Sequence, residues 1–289
     1  MRYVIIRDDD TNALTPVSCL ERLYRPFIER GMPVNLAVIP EVATGTCMGS
    51  GQPEGFLLPA AGEAAPRRSS EPLQACAVRH ERLDKLPMAA NQELVGYLLS
   101  HPSYRVVQHG SHHDYLEFDQ PDGAEIARRL DRGSNALREA GLGQPRTFVA
   151  PYDKLSSAAL RKVADRFAVL SGGWYELRRL PWSWWPGYAL KKARRAVHWK
   201  IGDTLLLSHP GCLLSCNRPY PTMLDTIITH LKQHRLTVLV THWWEYFRDQ
   251  RADGPFIDML HETGDYLASQ SDLKVVSFAD VAEGRVPVD

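Results

Sequence analysis

Short apolar runs rich in β-branched residues recur along the chain, and segments with helical periodicity separate most of them. The runs are YVIIR (3–7), VNLAVI (34–39), YRVVQ (104–108), TFVA (147–150), FAVL (167–170), TLLLS (204–208), LTVLVT (236–241) and LKVVSF (273–278). Helical patterns occupy 16–31, about 91–100, 123–140, 156–165, 221–234 and 255–269. Strands that are apolar on both faces and alternate with helices are typical of a parallel sheet with right-handed crossovers. The pattern predicts an α/β fold, an irregular (β/α) barrel of seven or eight strands.

Two segments depart from this alternation. Residues 44–87 are rich in Gly, Pro, Ala and Ser and lack periodicity, which indicates an insertion. Residues 174–199 carry five of the seven tryptophans and six cations against one acid. We therefore expect one domain over 1–289, with a Gly/Pro-rich insertion at about 44–87 and an aromatic, basic insertion at about 174–199.

Charge and cysteine usage restrict the partners and the compartment. The chain has 34 basic and 34 acidic residues, so no global field attracts nucleic acid or an anionic membrane. No apolar segment approaches the roughly 20 residues of a membrane span, and none of signal-peptide length precedes Tyr3. The cysteines are Cys19, Cys47, Cys76, Cys212 and Cys216. This odd, scattered set argues against a secreted disulfide framework, so we expect a cytoplasmic protein, with the oligomeric state left open.

Ionisable side chains follow several of the predicted strands directly. They are Asp8, Asp9 and Asp10 after the first strand, His109 and His113 after the third, the APYD segment (150–153) after the fourth, His209 after the sixth and His242 after the seventh. In a parallel barrel the carboxyl ends of the strands form one face. We therefore expect these side chains to gather there.

His109 and His113 match the pattern of a metal site. Two histidines four residues apart lie on one side of a helical turn, and an aspartate of the first strand would add a third ligand. Such a set leaves positions open for water and substrate. A cation would also offset the repulsion among three adjacent carboxylates. Each pattern alone also occurs in surface histidines or a solvated turn, but together they predict a divalent metal site.

RDDD (7–10) and HGSHH (109–113) resemble motifs of the polysaccharide deacetylases, carbohydrate esterase family four, which have the NodB-homology fold. The family's Asp-Asp pair supplies a general base and a metal ligand, and its His-x-x-x-His motif supplies two more ligands. The resemblance implies Asp9 as the base and Asp10, His109 and His113 as ligands, most simply of Zn²⁺. A slip to Asp8 and Asp9 stays open, and otherwise we expect Asp8 to support the site or pair with Arg7.

The family's oxyanion motif is matched in part. TFVAPYDK (147–154) resembles it at Pro151 and Tyr152, which implies that a backbone N–H of this turn stabilises the oxyanion. Val149 stands where the family has the arginine that orients the base, and Arg7 is the substitute that we predict.

The end of the seventh strand resembles the family's last motif. LTVLVTHWW (236–244) implies that His242, followed by Trp243, protonates the leaving amine. His209 competes for this role; otherwise it lines the pocket, contacts substrate or is structural. We expect His112 to point away from the metal, and we place no counterpart to the family's Asp and Trp pair that orients the acid.

The resemblance implies a metal-dependent hydrolase of carbon-nitrogen bonds other than peptide bonds. It would remove an N-acyl group, with acetyl expected, from an amino sugar or saccharide. Because the family also contains deformylases and cyclic-amide hydrolases, a non-sugar amide or cyclic imide is an alternative substrate. A non-catalytic glycan-binding homologue is a further alternative. Residues 174–199 suit either a substrate-binding wall or an amphipathic surface helix.

Overall fold

The computed structural model describes residues 1–57 and 85–288, and in them every predicted strand and helix is present. The strands are β1 (Arg2–Thr11), β2 (Val34–Val38), β3 (Glu41–Ala43), β4 (Lys85–Pro87), β5 (Tyr104–His109), β6 (Thr147–Val149), β7 (Val169–Gly172), β8 (Trp199–Ile201), β9 (Thr204–Ser208), β10 (Leu236–His242) and β11 (Leu273–Val275). The helices are α1 (Val17–Ile28), α2 (Gln92–Ser100), α3 (Gly123–Glu139), α4 (Ser157–Ala164), α5 (Trp185–Ala193), α6 (Tyr220–Gln233), α7 (Gly254–Ser269) and α8 (Phe278–Ala282).

One curled sheet carries the fold. Its strand order is β10-β1-β2-β5-β6-β7-β9-β8, and β11 pairs with the start of β1. Its pairs are parallel, apart from the antiparallel pair of β8 and β9. That pair is a hairpin, because only Gly202, at φ +55°, and Asp203 separate the two strands. The curl and the parallel pairing confirm the predicted α/β fold of the NodB barrel type.

Both faces of β1 are buried, which explains why its apolar run has no polar face. Ile5 packs inside the curl with side chains of the other strands and of α8. Val4 and Ile6 point the other way, into the cluster that contains α1 and α7. Because successive side chains of a strand alternate between faces, Arg7 and Asp9 continue the inner face and Asp8 continues the helix-facing one.

Helix starts follow local capping. The side chain of Asn91 accepts a hydrogen bond from the Leu94 N–H at the start of α2. Asp122 caps α3 and Ser156 caps α4 in the same manner. These short polar side chains satisfy N–H groups that have no partner within the helix.

The predicted insertions differ in their contacts. The antiparallel pair of β3 and β4 brackets the first one, and its residues 58–84 lie outside the described residues. In the second one, Trp184 and Trp199 are buried in a cluster with residues of α4 and β9. The residues of α5 are half-buried or exposed.

Two expectations about the chain as a whole can be compared with the structure. Among the described helices, none has the length and apolar character that crossing a bilayer requires. Cys19, Cys212 and Cys216 are free thiols. Cys47 is disulfide-bonded, which the scattered cysteine pattern does not predict.

Candidate active site

Asp10, His109 and His113, named here the Asp10 cluster, meet at the carboxyl end of the sheet. The Nε2 atoms of both histidines lie 3.2 Å from Oδ1 of Asp10. All three side chains are buried. The structure thus brings the three predicted ligands within reach of one ion. The ring of His112 points elsewhere, with Nδ1 3.0 Å from the carbonyl oxygen of Glu41.

Unusual backbone conformations produce this convergence. Asp10 has φ +73° and His113 has φ +60°, in the left-handed region that residues other than glycine rarely adopt. The register of β1 against β2 shifts between Asp9 and Thr11. This irregularity takes Asp10 out of the alternation of β1 and turns it toward the end of β5. Such local strain is common at functional sites.

The donor atoms of the Asp10 cluster fit a divalent metal ion. Oδ1 of Asp10 is buried and has no well-oriented hydrogen-bond donor among the described residues. Nδ1 of His109 lies 3.1 Å from the carbonyl oxygen of Val149, which places the proton on Nδ1 and leaves the Nε2 lone pair free. Lone pairs of nitrogen and oxygen directed at one point repel each other unless a cation lies between them.

Burial and charge set the protonation states of the cluster. Burial raises the pKa of Asp10, but the two histidines outweigh it and hold that pKa below its usual range. Burial lowers the pKa of His113 to about 4, so its ring is neutral at neutral pH. Burial also lowers the pKa of His109, yet Asp10 and Asp9 outweigh it and leave that pKa raised. A metal ion would bind the neutral form of both rings.

Two tryptophans that follow His242 hold Asp10. The indole N–H of Trp244 donates to Oδ2 of Asp10 at 2.9 Å. The indole N–H of Trp243 donates to the backbone oxygen of Asp10 at 3.1 Å. Trp243 is buried. Trp243 therefore holds the backbone of Asp10 from the protein interior.

Glu117 holds the loop that carries His113. Its Oε2 accepts hydrogen bonds from the backbone N–H groups of Ser111 and His113, and its Oε1 accepts one from His112, all at 3.1 Å. Burial raises the pKa of Glu117 to about 6. No motif in the sequence points to Glu117, because its role depends on a loop that folds back onto it.

Asp9 lies on the inner face of the sheet, where Arg7 holds it with two hydrogen bonds. Nε of Arg7 donates to Oδ1 of Asp9 at 2.8 Å, and Nη2 donates to Oδ2 at 2.5 Å. Nη1 of Arg7 donates to the hydroxyl of Ser171 at 2.9 Å. Arg7 therefore makes the contact that Val149 cannot make.

Asp8 points to the opposite face, as the alternation of β1 requires. Both of its carboxylate oxygens are buried without a hydrogen-bond partner among the described residues. Burial raises its pKa well above the usual range, which favours the uncharged form of the carboxyl. The expected pairing with Arg7 is not found, because Arg7 contacts Asp9 on the other face. Neither Asp8 nor Asp9 belongs to the Asp10 cluster, in contrast to the slipped alternative.

The turn Pro151–Asp153 follows β6 next to the Asp10 cluster. Tyr152 has φ +55°, and its ring centroid lies 4.8 Å from that of His113. Its hydroxyl donates to Glu54. Pro151 is buried at the first position of the turn.

Residues 54–56, which belong to the first insertion, form a wall of the site. Glu54 is buried and accepts the hydrogen bond from Tyr152. The ring of Phe56 stands edge-on to that of His113, with centroids 4.9 Å apart. Gly55 packs against Trp244, and a Cβ at this position would come within 2.3 Å of the indole. The segment lacks periodicity, so only the three-dimensional structure shows that it reaches the site.

His242 ends β10 and is paired in register with Asp9. Its Nδ1 lies 3.2 Å from Oε1 of Glu245 and 3.7 Å from the sulfur of Cys212. We name Cys212, His242 and Glu245 the His242 cluster. Burial lowers the pKa of His242, but the hydrogen bonds with Cys212 and Glu245 outweigh it and raise the pKa well above its usual value. Glu245 thus holds the ring, although no sequence motif marks it.

His209 is engaged through both ring nitrogens. Its Nε2 lies 3.0 Å from Oδ2 of Asp153, and its Nδ1 accepts a hydrogen bond from the Gly211 N–H at 3.1 Å. By contrast, the described residues occupy only Nδ1 of His242. A ring with an unengaged nitrogen is the better proton donor to a substrate.

No protein-family model matches the sequence, and no curated protein matches it. Solved structures do match. A protein from Mycobacterium smegmatis is 16% identical over 98% of this chain and 89% of its own, with a TM-score of 0.59. One from Pseudomonas aeruginosa PAO1 is 10% identical over 98% and 90%, with a TM-score of 0.58. Both are described as candidate polysaccharide deacetylases. The Puue allantoinase is 8% identical over 98% and 89%, with a TM-score of 0.56.

These structural matches establish the fold. The chain has the NodB-type fold of polysaccharide deacetylases, in agreement with the resemblance that RDDD and HGSHH carry. The fold alone does not identify a reaction. The chemistry has to be argued from the site.

Proposed function

We propose that this chain, with its deacetylase fold, is a metal-dependent hydrolase that removes an N-acyl group, in the simplest case acetyl, from an amino sugar or saccharide. The observation that carries the proposal is the arrangement at one end of the sheet. There the Asp10 cluster lies beside an aspartate held by Arg7 and a histidine held by Glu245. A metal site, a base and an acid are the three groups that hydrolysis of an amide requires.

Asp10, His109 and His113 would hold the metal, with Zn²⁺ as the first choice for a set of two imidazoles and one carboxylate. A bound divalent cation lowers the pKa of a water ligand to about 7 and polarises the acyl carbonyl. The carbonyl oxygen of Val149 and the indole of Trp244 orient His109 and Asp10 from behind. Such outer contacts typically support metal affinity.

Asp9 is the proposed general base. It takes a proton from the attacking water, whose oxygen forms the new bond to the acyl carbon. The two hydrogen bonds from Arg7 fix the orientation of the carboxylate, and Ser171 in turn fixes Arg7. The base is therefore preorganised before substrate arrives.

The turn after β6 and His242 complete the proposed mechanism. The backbone N–H of Tyr152 donates to the acyl oxygen as negative charge develops there, and one well-placed donor of this kind contributes on the order of 3 kcal/mol. His242 gives a proton from Nε2 to the nitrogen as the carbon-nitrogen bond breaks. The products are a carboxylate and a free amine. His209, tied to Asp153, lines the site.

Residues 174–199 are the proposed substrate wall. Trp174 follows β7 on the active-site side and lines a small pocket with Asp153 and Gly172. Trp174, Trp182 and Trp185 are exposed. Exposed aromatic rings suit stacking on a sugar, and the nearby lysines and arginines suit an anionic group on the same substrate.

A second candidate reaction is hydrolysis of a non-sugar or cyclic amide. Its support is the fold shared with an allantoinase at a TM-score nearly equal to those of the deacetylase-like proteins. The same three groups would serve this reaction. The two candidates differ in the product of hydrolysis and in the kind of substrate that residues 174–199 would contact.

The test measures product release by the full chain reconstituted with one equivalent of Zn²⁺. We expect acetate from N-acetylglucosamine oligomers, and we expect Asp9→Asn to lose about 10²–10⁴-fold in kcat while retaining the metal. Ring opening of cyclic amides, or release of other acids from open-chain amides, without acetate from the oligomers, would favour the second candidate. Full activity of metal-loaded Asp9→Asn would disprove the role of Asp9.

A further inference from the structure

A second group of metal-binding atoms lies in the described part of the chain, in the His242 cluster. We propose that Cys212, His242 and Glu245 form a binding site for a thiophilic divalent cation such as Zn²⁺, and that its occupation inhibits hydrolysis. The inhibitory effect rests on the proposed role of His242 in catalysis. The binding site itself does not depend on that role.

The distances within the His242 cluster match those between the ligands of one metal ion. Nδ1 of His242 lies 3.7 Å from the sulfur of Cys212 and 3.2 Å from Oε1 of Glu245. One ligand atom from each residue lies within 4.8 Å of the others. Tetrahedral zinc, with bonds of about 2.0–2.3 Å, separates its ligand atoms by about 3.3–3.8 Å. An ion therefore fits with small side-chain shifts.

The cluster is held in place from outside. Oε2 of Glu245 accepts hydrogen bonds from the Ser215 hydroxyl at 2.7 Å and from the Cys216 N–H at 2.6 Å. Those contacts leave Oε1 directed at His242. The thiol of Cys212 lies 3.3 Å from the carbonyl oxygen of Val240, which fixes its position as well. Preoriented ligands of this kind favour metal binding.

Solvent can reach the cluster. Glu245 is buried, but Cys212 and His242 are half-buried, and the side chain of His242 is 24% exposed. An ion can therefore enter and keep a water as its fourth ligand. Because a sulfur ligand selects soft or borderline metals, the site should take Zn²⁺, Co²⁺ or Cd²⁺ in preference to Mg²⁺ or Ca²⁺.

Occupation of this site would weaken His242 as a proton donor. Metal binding at Nδ1 takes the nitrogen that Glu245 now contacts. The imidazole then binds as a neutral ligand, and its Nε2–H is a far weaker acid than that of the imidazolium, so His242 protonates the leaving amine much less readily. Activity should therefore rise with the first equivalent of Zn²⁺ and fall as the second site fills.

Cobalt spectroscopy tests the site without reference to activity. Only a cysteine ligand gives a sulfur-to-cobalt charge-transfer band, and Asp10→Asn disables the Asp10 cluster. We expect Co²⁺ to produce this band in wild type and in Asp10→Asn, and not in Cys212→Ser. Cys216→Ser is the matched control, because it removes a neighbouring free thiol and should retain the band. A band that persists in Cys212→Ser, or that is absent from Co²⁺-saturated wild type, overturns the proposal.

The inhibitory effect is measured as the ratio of activity at excess Zn²⁺ to activity at one equivalent. In wild type we expect the activity at excess Zn²⁺ to be about 100-fold lower than the activity at one equivalent. This factor is at the lower end of what a general acid contributes. In Cys212→Ser the ratio should stay near one. If the cobalt band appears but excess Zn²⁺ leaves wild-type activity unchanged, inhibition is disproved and the binding site stands.

Discussion

The Asp10 cluster and the His242 cluster lie at the ends of neighbouring strands, yet they are built differently. The Asp10 cluster is fully buried, and two of its three residues adopt left-handed backbone conformations. The His242 cluster is partly exposed. His242 itself has extended backbone at the end of β10. The first arrangement is suited to holding an ion permanently, because strain and burial exclude alternative positions. The second allows exchange with solvent, which a proton donor needs.

Register connects the two clusters. Asp9 and His242 are paired across β1 and β10, so the proposed base and the proposed acid lie side by side on the inner face. Arg7 holds one and Glu245 holds the other. Opposite charges thus orient both groups before substrate binds.

Loss of the Asp10 carboxylate should have the largest effect. Asp10→Asn removes the charge that lies between the two Nε2 atoms, so we expect the cluster to lose its metal and hydrolysis to fall to the uncatalysed background. Metal content is measured in a Cys212→Ser background, where only this cluster binds. His242→Ala, the matched change in the other cluster, should lower kcat by about 10²–10⁴-fold and leave that metal in place. Equal metal loss in both variants would contradict the division of roles.

Removal of the Glu117 carboxylate should have the next largest effect. Glu117→Gln replaces one accepting oxygen by a donor, so at least one buried N–H of the Ser111–His113 loop loses its partner. We expect an unfolding free energy lower by about 1–3 kcal/mol, measured by denaturant titration. Metal affinity should fall by about 10–100-fold. Asp114→Asn is the control, since Asp114 contacts Arg129. If Asp114→Asn weakens metal binding as strongly, the loop is not held by Glu117 alone.

The positions of eight of the eleven described strands could be predicted from the sequence, because runs such as VNLAVI and LTVLVT suit strands that are buried on both faces. The short strands β3, β4 and β8 are not among the predicted ones. The meeting of Asp10, His109 and His113 could be predicted because Asp10 and His109 stand at the ends of such runs and His113 lies four residues after His109. Glu117 and Glu245 could not, since a single acidic side chain carries no periodicity and acts only through the fold. The bulge that turns Asp10 toward β5 is likewise a tertiary effect. The same holds for Gly55, whose lack of a side chain matters only because Trp244 lies against it.

Neutralisation of Glu245 should change the pH dependence of kcat. The carboxylate stabilises the protonated ring, so Glu245→Gln lowers the pKa of His242, which is raised in wild type. Because the protonated form is the proposed acid, it is then lost at lower pH. We expect the alkaline limb of the kcat profile to move toward acid by about one pH unit, equivalent to about 1.4 kcal/mol. The acidic limb should stay in place. An unchanged alkaline limb would show that Glu245 does not act on the catalytic proton.

The smallest effect is expected at residues 54–56, the wall of the site next to both clusters. There Glu54 accepts a hydrogen bond from Tyr152. The charges of both Asp10 and His242 act on Glu54. Tyr152→Phe removes the hydroxyl and keeps the backbone N–H that we assign to the oxyanion. We therefore expect the free energy of unfolding to fall by about 1 kcal/mol, the net contribution of one hydrogen bond. By the same free energy, kcat should fall by no more than about fivefold. A loss of kcat as large as that of His242→Ala would mean that the hydroxyl takes part in the reaction. The hydrogen bond between Tyr152 and Glu54 would then belong to the catalytic site, and the two clusters would form a single site with it.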